Sequence, residues 1–386
     1  MTSPGPLADL LIVDLTRVLA GPYATMILAD LGARVIKVER PGTGDDSRHI
    51  GPFKDGDPGQ SAYFASINRG KESIALDLAV AADRAVFDAL VARADVIVEN
   101  FRPGVMDRLG LGWDTLHARH PRLIYAATSG FGQTGPDRAK PAYDMIAQAM
   151  GGIMSVTGWP GGKPTRVGTS IGDIAAGLFT AIGILAAVHA RAASGDGSFV
   201  DVAMLDSQIA ILENAVARYA VNGTVPGPIG ARHPSITPFA AFACADGQIV
   251  LAAGNNRLFE ALCTAIGAPE LSADPRFADN AARSAQPDAL ANLFEARLAT
   301  GTVAHWLEVI GGIGVPCGPL HNVEQALNYP QVRARNMVID TAFPDGSPLI
   351  AAGNPVKISG FADPVTRPKS PALDEHRAMI LADLGM

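Results

Sequence analysis

Residues 10–40 read LLIVDLTRVLAGPYATMILADLGARVIKVER, and this stretch decides the fold. LLIVDLT is an apolar run of strand length, RVLAGP is a turn, YATMILADLG carries apolar residues at helical spacing, and ARVIKVER is a second apolar run. Strands this apolar need cover on both faces, and strands joined through a helix pair in parallel. The stretch therefore predicts a right-handed βαβ crossover.

The same alternation continues outward. ESIALDL reads as a strand, ADRAVFDALVARA as a helix and DVIVENF as a strand. A short helix over Gly104–Leu109 and the strand RLIYAATSGFG follow. Roughly the first 130 residues form a doubly wound α/β domain by this pattern. Helical period then takes over at Tyr143–Met150, after Asp173, and again over Asp206–Val221, with the strand-like SFVDVAML between the last two. The segment 223–234 is rich in Gly and Pro and has no periodic apolar pattern, so it reads as a linker closing a large domain over 1–222. Beyond it PFAAFACADGQIVLAA predicts a hairpin turning at Asp246-Gly247, with helices around Phe259–Ile266, Asp288–Ala299 and Val303–Val309. This is a smaller α+β domain over 235–330. From Asn336 come the strand-like MVIDTAF and VKISGFA, then a last helix over Asp374–Leu384.

Composition narrows the function. The chain has 386 residues, 48% of them hydrophobic, which excludes disorder and fibre. A net charge of −7 without basic runs argues against a nucleic-acid partner. The three cysteines are too scattered for a disulfide framework or a metal knuckle, and with an N-terminus lacking a basic leader they point to a cytoplasmic protein. The apolar window Ile171–Ala190 is long enough to span a bilayer. Asp173, His189 and its many Ala and Gly residues favour a buried helix and no membrane partner.

The first βα turn, Thr16–Pro22, stands where such sheets bind nucleotides but lacks G-x-G-x-x-G, and no dinucleotide is expected. His117 and His120 are spaced to bind metal but fit a solvated helix end, and no metal is expected. No G-x-S-x-G accompanies Ser129. Asp173 precedes the long apolar helix. It reads either as the N-cap of that helix or as a nucleophile held ionised by the helix field, and the two readings are compatible.

Taken together and in order, VDLTRVLAGPYATMILADLGARVIKVERPGTGDDSR, NRGKESIALDL, ADVIVENFRPGVMDRLGLG, SGFGQTGP, AYDMIAQAMGG, SIGDIAAG and GVPCGPL resemble the family III CoA-transferases over nearly the whole chain. That family includes formyl-CoA, crotonobetainyl-CoA and dicarboxylyl-CoA transferases and the related α-methylacyl-CoA racemases. The resemblance implies that residues 331–386 return to the large domain, and that two chains interlock as a homodimer. It assigns the nucleophile to Asp173 and coenzyme A contacts to Val18, Ala20, Arg40, Leu76, Asn100, Arg108 and Tyr143. Coenzyme A is then a substrate carried as its thioester, exchanged with a free carboxylic acid, and no cofactor is permanently bound.

Two departures from family patterns follow from the same resemblance. Leu19 stands where formyl-CoA transferase has Gln, which points away from a formyl/oxalate pair. Tyr143 and Asn256 stand where the racemases have their His and Glu bases, which leaves racemase as the runner-up. A non-catalytic CoA-binding protein is the alternative of another class. Gly227 and Gly230 fall where formyl-CoA transferase has a mobile glycine loop. Arg232 and His233 beside them are candidates for gripping the second carboxylate of a dicarboxylic substrate or, equally, for bracing the linker.

Overall fold

The computed structural model describes residues 5–386. Two compact units emerge. Among the described residues the first comprises 5–154, 166–225 and 329–386; the second comprises 155–165 and 226–328. The segment 155–165, inside the large domain as read from sequence, packs with the second unit.

The first unit is built on six strands: β1 (Leu11–Asp14), β2 (Arg34–Glu39), β3 (Glu72–Ala75), β4 (Val96–Glu99), β5 (Ile124–Ser129) and β6 (Phe199–Ala203). All neighbours pair in parallel in the order β3-β2-β1-β4-β5-β6. Its helices begin with α1 (Ala20–Asp30), α2 (Ala62–Asn68), α3 (Ala81–Arg93), α4 (Val105–Arg108) and α5 (Trp113–Arg119). They continue as α6 (Asp144–Met150), α7 (Ile153–Val156), α8 (Ile171–Ser194), α9 (Met204–Ile211) and α10 (Glu213–Asn222). The strand period of two sorts the core. Val13, Ile36 and Ile97 join Phe87 and Leu90 of α3 on one face. Ile12, Val35, Val96 and Val98 join Ala24, Leu28 and Ile184 of α1 and α8 on the other.

Helix α8 is long and apolar enough to cross a membrane by length and composition. It lies against α1, β5 and β6, with Ala176, Thr180 and Ile184 buried, while Leu178, Phe179 and Ile182 stay exposed. Gly177 permits the contact with α1, because a Cβ there would sit 2.7 Å from the Ala20 carbonyl oxygen.

The free edge of β3 is covered by the C-terminal segment. Ala75 N–H donates to Asp374 Oδ1 at 2.8 Å, Ser73 N–H donates to His376 Nδ1 at 3.2 Å, and His376 N–H returns to the Ser73 carbonyl at 3.0 Å. An edge so occupied offers no template for another strand. One expected strand is corrected: VKISGFA is irregular, and the partner of β10 (Val338–Ala342) is β11 (Pro348–Ala352). The reason is the turn between them, where Asp345 Oδ1 accepts the Ser347 N–H and Gly346 takes φ +86°.

The second unit holds an antiparallel sheet of β7 (Phe239–Ala243), β8 (Gln248–Ala252) and β9 (Cys317–Pro319). Its helices close a separate core around Phe259, Phe277 and Phe294. The chain is thus α/β with a large parallel sheet and a smaller antiparallel one.

Candidate active site

In the sheet order, β1 lies between β2 and β4, so the chain leaves β1 in one direction and later returns on its other side. Loops leaving the strands diverge at such a switch point and open a crevice. Two adjoining cavities sit there. One, of about 200 Å3, is walled by the β1, β4 and β5 loops and includes Val18, Ala20, Asn100, Tyr143 and Asp173. The other, of about 240 Å3, includes Arg40 and Leu76; both contain Arg17, Asp46 and Phe101.

The β1 loop is held at its backbone. Asn100 Oδ1 accepts the Arg17 N–H at 2.9 Å and its Nδ2 donates to the Arg17 carbonyl at 2.8 Å. Asp45 Oδ1 accepts the Val18 N–H at 3.0 Å, and Val18 adopts φ +66°, a left-handed conformation that strongly disfavours a β-branched residue. Beneath the loop Lys37 Nζ, fully buried, meets Asp45 Oδ2 at 2.8 Å and donates to the Thr16 carbonyl at 2.6 Å. Burial pushes the Asp45 carboxyl up, but Lys37 outweighs it and the carboxyl lies below the usual range.

A second buried pair anchors the end of β1. Asp14 Oδ2 accepts from Lys71 Nζ at 3.0 Å and from Thr25 Oγ1 at 2.7 Å, while Oδ1 accepts the Thr16 N–H at 2.8 Å. Burial raises the Asp14 carboxyl, and Lys71 and Lys37 more than reverse it. Burial also pushes Lys71 down to about 8 against the pull of Asp14.

Asp173 occupies the third position of α8, so it is not the N-cap. The helix begins after Ser170, which makes no side-chain cap bond; Asp144 does the capping, accepting the Gly172 N–H on Oδ1 at 2.8 Å. Gly172 leaves room for this bond, since a Cβ there would lie 2.9 Å from that oxygen. The Asp173 carboxylate accepts no hydrogen bond from the described residues. Burial, and then the negative charge of Asp144, push it up to about 7. Desolvation and a like charge thus oppose the helix field, which was expected to hold this carboxylate ionised. Tyr63 feels the same charges, its phenol raised to about 12 by burial and then by Asp173 and Asp144.

The remaining sequence candidates are not among the residues that line this cavity. Arg40 is exposed at the end of β2 and Arg108 is exposed on α4, where Leu109 rather than Arg108 enters the second cavity wall. Gly227, Gly230, Arg232 and His233 belong to the second unit. There Gly230 takes φ +69° with a Trp159 ring 2.6 Å from where its Cβ would be. Arg232 is ion-paired with Asp288, and the His233 ring stacks on Phe239 at 5.3 Å. Sequence reading missed Asp45, Lys37, Lys71 and Asp144. Lys37, a lysine inside a strand predicted to be covered on both faces, carried the one available signal.

The pattern of CoA-transferase family III matches residues 7–377 of the chain. The chain belongs to that family. It is 52% identical to the acetyl-CoA:oxalate CoA-transferase of Acetobacter aceti, over 97% of this chain and 95% of that protein. It is 42% identical to the succinyl-CoA:mesaconate CoA-transferase of Haloarcula hispanica, over 99% of this chain and 97% of that protein. A solved CaiB/BaiF family protein from Brucella suis superposes with a TM-score of 0.87 at 40% identity, covering 99% of this chain and all of that one. The resemblance read from the motifs is therefore borne out, and the chain is an enzyme of the family III CoA-transferase type.

Proposed function

We propose that this CoA-transferase moves coenzyme A between short-chain acids, at least one of them dicarboxylic, through a covalent intermediate on Asp173, with succinyl-CoA or a similar dicarboxylyl-CoA as donor. The observation that carries the reading is the Asp173 carboxylate, without a hydrogen-bond partner among the described residues, at the head of α8 in one cavity with the β1, β4 and β5 loops. The names of the oxalate and mesaconate enzymes support a dicarboxylic substrate. The first of them returns oxalate to the acids that Leu19 pointed away from.

The chemistry follows from residue type. An Asp173 oxygen attacks the thioester carbonyl carbon, the C–S bond breaks, and coenzyme A leaves as thiolate from a mixed anhydride. The thiolate attacks the aspartyl carbonyl carbon, the C–O bond breaks, and the donor acid leaves as carboxylate from an aspartyl-CoA thioester. The acceptor carboxylate attacks that thioester, re-forming an anhydride and free thiolate, and the thiolate takes the acceptor's acyl carbon and restores the Asp173 carboxylate. No proton is gained or lost overall.

Val18, Ala20, Arg40, Leu76, Asn100, Arg108 and Tyr143 are proposed as the coenzyme A contacts, with Arg40 and Arg108 offering forks to phosphate. Gly227 and Gly230 are proposed as the counterpart of the mobile glycine loop that the resemblance implies. Arg232 and His233 retain the bracing role, which the Asp288 pair supports. We also read the enzyme as a cytoplasmic interlocked homodimer without resident cofactor, metal, nucleic-acid or membrane partner. Exposed apolar side chains at Tyr143, Met145, Ile182, Ile209 and Tyr219 support a covered surface, and light scattering after gel filtration tests the dimer.

The test of the reaction is mass spectrometry of protein incubated with succinyl-CoA and quenched with hydroxylamine. A hydroxamate on the peptide containing Asp173 is expected. An unmodified peptide with succinyl-, acetyl- and formyl-CoA alike overturns the covalent reading.

A further inference from the structure

Leu19 belongs to two walls. It borders the cavity of Asp173, and it also borders a larger cavity of about 580 Å3 that reaches Ser170 and Ile174 at the head of α8. Ile174 follows Asp173 in the chain, and Tyr63, another residue of this wall, is near enough to Asp173 for its phenol to be raised by that carboxylate's charge. Met26, Ile67, Ile174 and Leu178 form its apolar part.

The polar part includes donors that are only loosely engaged. Arg166 makes no hydrogen bond with the described residues, and its nearest acid is Asp144, 3.6 Å from Nη2 to Oδ2. That carboxylate is already engaged by the Gly172 N–H and by Gln148 Nε2 at 2.8 Å each. The other guanidinium in the wall, Arg69, is satisfied by Asp30 and the Ser66 carbonyl. Asn354 is 4% exposed and its Nδ2 is buried without a partner among the described residues. Ser170 keeps its hydroxyl free of a cap bond. A guanidinium fork, a buried amide N–H and a hydroxyl beside an apolar channel complement an acceptor-only anion carried on a short hydrocarbon spacer.

We infer that this cavity is the subsite for the far end of a dicarboxylic acyl group, and that Arg166, with Asn354 and Ser170, binds its second carboxylate. The inference rests on the proposed covalent reaction at Asp173 and adds the residue that selects dicarboxylic over monocarboxylic acids. Arg166 acts on the substrate's distal end and takes no part in bond making.

The experiment compares succinyl-CoA with butyryl-CoA, which has the same four-carbon acyl chain but lacks the second carboxylate. In Arg166→Gln the ratio of kcat/KM for succinyl-CoA over butyryl-CoA is expected to fall at least tenfold, through KM, and Arg166→Lys is expected to recover part of it. A smaller change in the ratio, including equal loss on both substrates, overturns the inference. Because Arg166 is a surface-reaching side chain, the variant is expected to fold; circular dichroism of both variants checks this, and the lysine variant carries the same ratio test if the glutamine variant does not. Failure of the underlying reading is separate. It shows as a wild-type enzyme that forms no hydroxylamine-sensitive adduct on Asp173 with either thioester.

Discussion

Asp45 holds the N–H of Val18 at 3.0 Å while its other carboxylate oxygen meets the buried Lys37 ammonium at 2.8 Å. A valine at φ +66° is costly by roughly 1–2 kcal/mol, and it persists because this carboxylate and Asn100 fix the loop on both sides. The loop borders both cavities at the strand ends, so the ion pair sets the shape of the proposed coenzyme A site.

Removing Asp45 therefore loosens the binding loop. Asp45→Ala is expected to raise KM for the acyl-CoA about tenfold with a smaller change in kcat, and to lower stability by roughly 3–5 kcal/mol because Lys37 is left buried and unpaired. Adding Val18→Gly should recover most of the KM, since glycine occupies the left-handed region without help. Steady-state kinetics of the single and double variants decide the matter: a double variant no better than Asp45→Ala shows that backbone strain at Val18 is not what the carboxylate controls.

The raised Asp173 carboxyl makes activity pH-dependent. Attack requires the ionised form, and with a pKa near 7 in the free enzyme half of the sites are protonated at neutral pH. The initial rate of adduct formation at low succinyl-CoA should rise tenfold per pH unit below about 6 and level off above about 8. A profile flat from pH 5 to 8 would show that Asp173 is ionised throughout.

The same shift predicts a stability change. Folded Asp173 holds its proton up to about 7 whereas the unfolded carboxyl releases it near 3.8, so between these values the native state binds more protons. Stability contributed by this group is present below the lower value and is lost as pH rises toward 7. Asp173→Asn removes that loss. Its melting temperature should match wild type at pH 4 and exceed it at pH 8, read by calorimetry; an equal difference at both values refutes the linkage.

Much of this arrangement was visible in the chain. The apolar runs around Val13, Ile36, Ile74, Ile97 and Ala126 are buried on both faces, so continuous hydrophobicity was enough to identify a parallel sheet. Motifs placed Val18, Ala20, Asn100, Tyr143 and Asp173 in one cavity. The cap of α8 was not legible, because Asp144 precedes Gly172 by 28 residues and only the tertiary fold brings them together. The state of Asp173 was also hidden. Its position near a helix start favours ionisation, while burial and Asp144, which decide the outcome, are properties of the packed pocket. VKISGFA failed for a local reason, since the Asp345-Gly346 turn gave β10 a nearer partner.

Lys71 and Asp14 provide the last test, because both are fully buried and each is the other's ion-pair partner at 3.0 Å. Lys71→Met leaves the Asp14 carboxylate with the Thr16 and Thr25 hydroxyls and the Thr16 N–H, but without its nearest positive charge. A loss of about 3–5 kcal/mol in urea unfolding is expected. Combining it with Asp14→Asn removes the stranded charge while keeping one oxygen to accept from the loop, so the double variant should be more stable than Lys71→Met alone. If the double variant is instead less stable than either single one, the hydrogen bonds of the carboxylate to Thr16 and Thr25, and not the ion pair, hold the end of β1 beneath the site.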